Sequence, residues 1–253
     1  MKYFTEKDSF IREIWGKADT VLFIFAGAAA EFTLNRAVDW LYYTGRLLAD
    51  PLGRLFSTVA YSRMILFSDE ENAFKYIDQL TAIHQGVENS RGTKIPAAAY
   101  LEVLYMLVDY SIRAYELLER KLKEEDKVEI FDVFARVGNR MGLEGLAGSY
   151  YEYLVERKSQ LRNGIFYSHY TKDLYQQYRK HLGYARFILL KQVQLLVAPE
   201  HVNKKLKQEQ IKWIRPILKL YKILRFFKME SWVKTAILPK QYARQLKNIE
   251  NAI

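Results

Sequence analysis

The chain has 253 residues, 50% hydrophobic and 15% aromatic, with 39 Lys/Arg against 29 Asp/Glu and no cysteine. Such a length buries a real core as one large domain or two small ones, and the composition argues against disorder. A cysteine-free chain excludes disulfides, thiolate metal sites, cysteine nucleophiles and thiolate-ligated haem, and is compatible with a reducing compartment.

In chain order, the opening MKYFTEKDSFIREIWGKAD mixes charges and has no early apolar run, so no secretory signal is expected. VLFIFAGAAA, between Asp19 and Glu31, is shorter than the roughly 20 residues a bilayer span needs and reads as a buried helix. Asp50-Pro51 places an N-cap before a proline at the first helical position, predicting a helix over 51–67. Ser68-Asp69-Glu70-Glu71 reads as a capping box, with Ser68 as cap and Glu71 reaching back, and opens a helix over 69–88. AAAYLEVLYMLVDYSIRAYELLERKL then predicts a long helix, over about 97–121, apolar nearly all round and therefore central. Further helices are predicted over 125–141, 149–162, 170–195, 208–229 and 239–251. Strand signals are nearly absent: there is no Asn-Gly or Asp-Gly turn and no sustained period-two alternation. The expectation is an all-α single domain with a basic helical C-terminal segment.

The charge is uneven. Residues 201–253 hold thirteen Lys/Arg and three Asp/Glu, so this stretch carries the whole net charge of +10. Within it, WIRPILKLYKILRFFKMESWVK interleaves aliphatic and aromatic residues with Lys and Arg at helical spacing. That is the pattern of a helix on an anionic membrane surface, and equally of an amphipathic helix docked on the core with its lysines outward. Nucleic-acid binding is not expected, because no helix-turn-helix, zinc or RNP-like motif accompanies the basic residues. Hydrolytic chemistry also finds little support: GxSxG, P-loop and GxGxxG motifs are all missing.

LTAIHQGV, residues 80–87, poses the main functional question. On a helical wheel Ala73, Phe74, Ile77, Leu80, Thr81 and Val87 share one half, and Lys75, Asp78, Gln79 and Gln85 the other. His84 falls near the centre of the apolar arc, with Glu88 as the one misplaced charge. Two accounts stand. Either His84 is a core histidine bonded to a carbonyl or a tyrosine, or a nitrogen binds iron, since neutral imidazole is the usual proximal haem ligand. Zinc is disfavoured, because His169, His181 and His201 are distant and lack ligand spacing. The preceding helix adds Arg54 in its first turn, where the macrodipole disfavours a cation. Arg54 and Thr58 share a face with Tyr61 and Ile65, suggesting a polar spot in a mostly dry pocket; the alternative is an ordinary ion pair. Asp109 and Arg113 are spaced as an ion pair, with a haem-propionate contact through Arg113 as the other reading. Arg91 and Lys94 are candidate propionate partners or solvated loop residues.

GRLFST (53–58), preceded by AD-P and followed after a helical interval by LTAIHQGV, resembles the GR-x-x-x-T … H-x-x-V signature of the MpaB and rubber oxygenase (latex clearing protein) catalytic domain. The resemblance covers about residues 20–200. It implies a haem-b protein with a globin-related helical core, His84 as proximal iron ligand, and Arg54 and Thr58 on the oxygen-binding side. Two features depart from the family pattern. Ser57 stands where the rubber-cleaving enzymes carry a lysine able to cap the iron, and the upstream histidine-proline pair of many relatives is not recognisable in GAAAEFTLNRAVDW. Asp39 is the first candidate for the distal carboxylate base and Glu31 the second.

These readings combine into an expectation of a haem-b-dependent oxygenase, of dioxygenase type, taking O2 and an apolar, unsaturated or isoprenoid-like substrate. Residues 1–200 would form the haem-binding domain and 201–253 a basic extension packed on it, in a cytoplasmic protein peripheral to the membrane. The rival is a non-enzymatic helical module that binds membrane or a partner, with His84 structural.

Overall fold

The computed structural model describes residues 2–36, 38–43, 50–208 and 214–226, with the backbone alone at 41, 51, 52, 54, 55 and 224–226. The helix expected over 239–251 lies outside the described residues. Those residues form a single all-α domain of twelve helices, and among them no strand is found, only two isolated bridges. None of the described helices is long and apolar enough to cross a membrane.

Numbered in chain order, α1 is Phe10–Gly16, α2 Ala18–Phe32, α3 Val38–Tyr43, α4 Pro51–Phe67, α5 Glu70–Arg91 and α6 Ala97–Leu118. After these come α7 Glu124–Arg140, α8 Tyr150–Asn163, α9 His169–Leu182, α10 Tyr184–Val197, α11 Glu200–Leu206 and α12 Ile214–Phe226. Pro51 opens α4 as the sequence suggests, and the Asp50 side chain accepts from the Gly53 N–H at 2.8 Å. The cap of α5 is Asp69 rather than Ser68. Its carboxylate accepts from the Asn72 backbone N–H at 2.9 Å and from the Asn72 side chain at 2.8 Å. A carboxylate at the positive end of the helix dipole is the stronger cap.

The single helix expected over 170–195 is two. Gly183, at φ +75, ends α9 and begins α10. A side chain rarely adopts that backbone conformation, so the glycine supplies the corner. Of the helix expected over 208–229, residues 214–226 form α12, while 209–213 and 227–229 lie outside the described residues; α1, α3 and α11 were not foreseen.

α6 is central, packing on α2, α7, α8 and α10. Its approach to α2 is closest at Gly27, where an added Cβ would stand 2.3 Å from Tyr110 Cδ1 and 2.9 Å from Val197 Cγ1. The small-residue run of GAAAE is therefore a packing feature that lets three helices meet. Trp15, Tyr105, Tyr110, Phe131 and Tyr153 are fully buried around this crossing, and the Trp15 indole N–H donates to Ser111 Oγ at 3.1 Å.

A charged network also lies in this core. Arg157 on α8 donates to both oxygens of Glu31 on α2, at 2.5 and 2.6 Å, and Tyr110 donates to Glu31 at 2.9 Å. Arg157 also reaches Asp109 at 2.9 and 3.1 Å, and Arg113 holds the other Asp109 oxygen at 2.6 Å. Two carboxylates thus meet two guanidiniums, which is how charges are tolerated inside a protein. Burial alone would lower the Arg157 pKa, but the charges of Glu31 and then Asp109 outweigh it and hold it well above its ordinary value.

Candidate functional site

The site is built on the α4–α5 hairpin. The two helices are joined by Ser68-Asp69 and pack on one another. Counted from that link at about 1.5 Å per residue, positions 54 and 84 stand at nearly the same height, roughly 22 Å along the pair. Thr58 is one turn nearer the link and half-buried.

The wheel drawn from the sequence orients α5 correctly. Ala73 and Ile77 are fully buried, while Lys75, Asp78, Gln79 and Gln85 are exposed. Its depth differs from expectation. Leu80, Thr81, His84 and Val87 are only half-buried, and no residue of the second half of α5 is fully buried. The reason is tertiary: α5 packs on α4 and α7 but makes little or no contact with α6. The apolar stripe around His84 therefore faces a seam that helix packing leaves unsealed.

Tyr100 on α6 crosses that seam. Its ring meets the His84 imidazole edge-on, with centroids 5.3 Å apart at 72°. The Tyr100 hydroxyl donates to Glu88 Oε1 at 3.1 Å, and the Ile95 backbone N–H donates to the same oxygen at 2.9 Å. Glu88, misplaced on the wheel, is thus the residue that ties the 92–96 connection and fixes the tyrosine beside the histidine. Burial first, then the Glu88 charge, push the Tyr100 hydroxyl above its ordinary pKa, so it stays protonated as a donor.

Arg91 lies seven residues beyond His84 on the same face, about 10 Å along the helix. One of its terminal nitrogens donates to Asp39 Oδ2 at 2.9 Å, and its guanidinium stacks 4.0 Å above the Trp40 ring. The other terminal nitrogen is buried with no partner among the described residues. Tyr43 donates to the Ser90 carbonyl at 2.7 Å, so α3 closes this end of the stripe.

The structure therefore brings His84 and Arg91 onto one stripe, sets position 54 level with His84 and Thr58 one turn away, and joins Asp39 to Arg91. Arg113 is not brought there. It lies thirteen residues beyond Tyr100 on α6, about 20 Å away along the axis, and is paired with Asp109. Glu31, the second candidate for the base, is likewise committed to Arg157 and Tyr110. Lys94 is exposed in the connection after α5.

Sequence reasoning missed Tyr100, the function of Glu88 and the buried arginines. Arg157 and Arg63 are 4% and 7% exposed. Arg63 donates to the Trp15 carbonyl and stacks 4.8 Å from the Phe67 ring centre. The Glu88 outlier on an otherwise consistent wheel was the one signal available.

The donor set itself is informative. Among the described residues no group of three or more His, Cys, Asp and Glu could hold a metal ion. A single imidazole on an apolar stripe suits a metal that brings its other ligands with it, and the spare Arg91 nitrogen suits an acidic group at that ligand's edge. The features fit haem in kind: an imidazole able to bind iron, an apolar stripe and a cation at its end.

By fold this is an all-helical domain, and its candidate site is a half-buried histidine on the apolar stripe of α5, beside Tyr100 of α6. Residues 15–247 match the family described as "ER-bound oxygenase mpaB/B'/Rubber oxygenase, catalytic domain", and the chain belongs to that oxygenase family. No curated protein and no solved structure matches the chain.

Proposed function

We propose that the chain is a haem-dependent oxygenase whose iron is held by His84. The observation that carries this reading is the pairing, on one helix face, of the His84 imidazole with the buried, uncommitted nitrogen of Arg91 about two turns away. His84 would hold the iron through an imidazole nitrogen and Arg91 would bind a propionate, with Trp40 and Asp39 holding the guanidinium in place. When bound, haem supplies a redox-active iron that activates O2.

The remaining work falls to this chain's own side chains. Tyr100, anchored by Glu88, limits rotation of the imidazole about its axis. Thr58, one turn nearer the link, would turn its hydroxyl toward the site as a donor, and Arg54, level with His84, would supply positive charge there. Both would act by preorganised electrostatics, stabilising negative charge that develops on oxygen. The half-buried Leu80 and Val87 would exclude water and favour an apolar substrate. Oxidative cleavage of a carbon–carbon double bond in an unsaturated or isoprenoid-like compound is the activity this reading assigns. Asp39, held by Arg91, is the proposed carboxylate nearest the rim.

Absorbance spectroscopy of the purified chain, with a pyridine haemochrome assay, tests the proposal. The expected result is one haem per chain, lost in His84→Ala with the helical circular dichroism unchanged. A colourless wild-type protein that takes up no added haem would return His84 to a structural role and favour the non-enzymatic rival.

A further inference from the structure

α12 carries a second feature that the oxygenase reading does not use. Three of its residues face the core: Ile214 is 5% exposed, Leu218 packs against the buried cluster, and Tyr221 donates to the buried Asp19 at 2.9 Å. Its adjoining flank, sharing Leu218, borders a half-open cavity of about 340 Å3, lined by Leu117 from the end of α6, Leu195 and Leu196 from the end of α10, and Arg215, Leu218, Lys219 and Lys222 from α12 itself. The lining therefore consists of four leucines and three cations, with no acidic residue. The volume lies at the lower end of the roughly 300–1,000 Å3 usual for small-molecule sites.

The cations differ in how far they are committed. Lys222 donates to the Leu117 carbonyl at 3.2 Å, satisfying the C-terminal end of α6. Arg215 and Lys219 are exposed, and neither is ion-paired among the described residues. Spaced four apart, they stand on one side of α12, next to the cavity. Positive charge without an ion-pair partner among the described residues, beside a leucine-lined slot, is complementary to one kind of molecule, an apolar chain ending in an anion.

We propose that this cavity binds one hydrocarbon chain of an anionic amphiphile, with that chain among Leu117, Leu195, Leu196 and Leu218 and its head group at Arg215 and Lys219. Charge argues against the chain's own end as the occupant. Residues 227–253 carry five Lys/Arg and two Asp/Glu, so they have the same sign as the two cations. The ligand chemistry is shared by free fatty carboxylates and by anionic lipids drawn from a bilayer, and the experiment separates the two. The site is independent of the His84 chemistry.

Calorimetric titration of the full chain with oleate below its micelle threshold, and with oleyl alcohol as the uncharged counterpart, tests the cavity. One equivalent of oleate is expected, with the alcohol about tenfold weaker. Reversing the two exposed charges in Arg215→Glu/Lys219→Glu should weaken oleate about tenfold or more, because it replaces attraction with repulsion at the mouth. Leu196→Phe, which fills the slot, should abolish uptake. If that variant fails to fold, the surface charge reversal alone decides.

Co-sedimentation with vesicles of phosphatidylglycerol and phosphatidylcholine in equal parts, against phosphatidylcholine alone, identifies the source. Anionic-vesicle binding lost in Leu196→Phe, together with oleate uptake, indicates that the same cavity takes a lipid chain. Oleate uptake without vesicle binding indicates the free carboxylate. Ile217, Leu220 and Ile223 form an exposed line on the outer side of α12. Vesicle binding that depends on Ile217→Glu/Ile223→Glu, with no oleate uptake, would assign the helix to the bilayer surface and overturn the cavity site. Oleate binding unchanged by both cavity variants, or no binding of either probe, would also overturn it.

Discussion

Arg157→Met removes the centre of the buried charge network, and the contacts set the size of the effect. Arg157 is the bidentate partner of Glu31, at 2.5 and 2.6 Å, and contributes two of the bonds to Asp109. Asp109 would keep Arg113. Glu31, 3% exposed, would be left with the Tyr110 hydroxyl as its one remaining partner among the described residues. Stranding one member of a buried pair costs about 3–5 kcal/mol, a large part of the roughly 5–15 kcal/mol that holds a domain folded. At roughly 2 °C per kcal/mol for a chain of this length, the melting temperature should fall by about 6–10 °C. The second half of the test is Glu31→Gln/Arg157→Met, which removes the stranded charge as well. Urea or thermal unfolding followed by circular dichroism should show the double variant at least about 2 kcal/mol more stable than Arg157→Met alone. A single-variant cost below about 1 kcal/mol, or strictly additive effects, would refute the view that these side chains act as one unit.

Glu88→Ala removes the shared acceptor of the Ile95 N–H and the Tyr100 hydroxyl and should cost about 1–3 kcal/mol. Hydrogen exchange at Ile95 should rise, and under the proposed function haem uptake should weaken with it; unchanged exchange would dissociate Glu88 from the site. Gly27→Ala pushes a methyl into Tyr110 and Val197 and should destabilise by about 1–3 kcal/mol, read by urea unfolding. Burial raises the pKa of Glu102, against the opposing hydrogen bond from Asn35. A carboxyl whose folded pKa is raised contributes its full stability below the unfolded value and loses it as pH rises through the folded value. Glu102→Gln should therefore stabilise the fold at neutral pH, and the gain should vanish in acid, below the ordinary carboxylate range. A pH-independent difference would contradict that assignment.

The sequence by itself determined the local structure. Asp50-Pro51 fixed the start of α4, and the periodicity around Ile77 and His84 fixed which side of α5 turns inward, because caps and helical spacing depend on neighbours three or four residues away. The largely apolar character of 97–118, interrupted in its first half only by Glu102 and Asp109, marked α6 as central for the same reason. The depth of burial at His84 was decided elsewhere, by α5 packing on α4 and α7 and leaving a seam beside α6. Tyr100 meets His84, Asp39 meets Arg91 and Glu31 meets Arg157 across sequence separations of 16, 52 and 126 residues. No spacing rule reaches that far. These pairs form only because whole helices dock in one arrangement, and burying their apolar faces drives that docking while leaving each polar group to find whichever partner the packing brings.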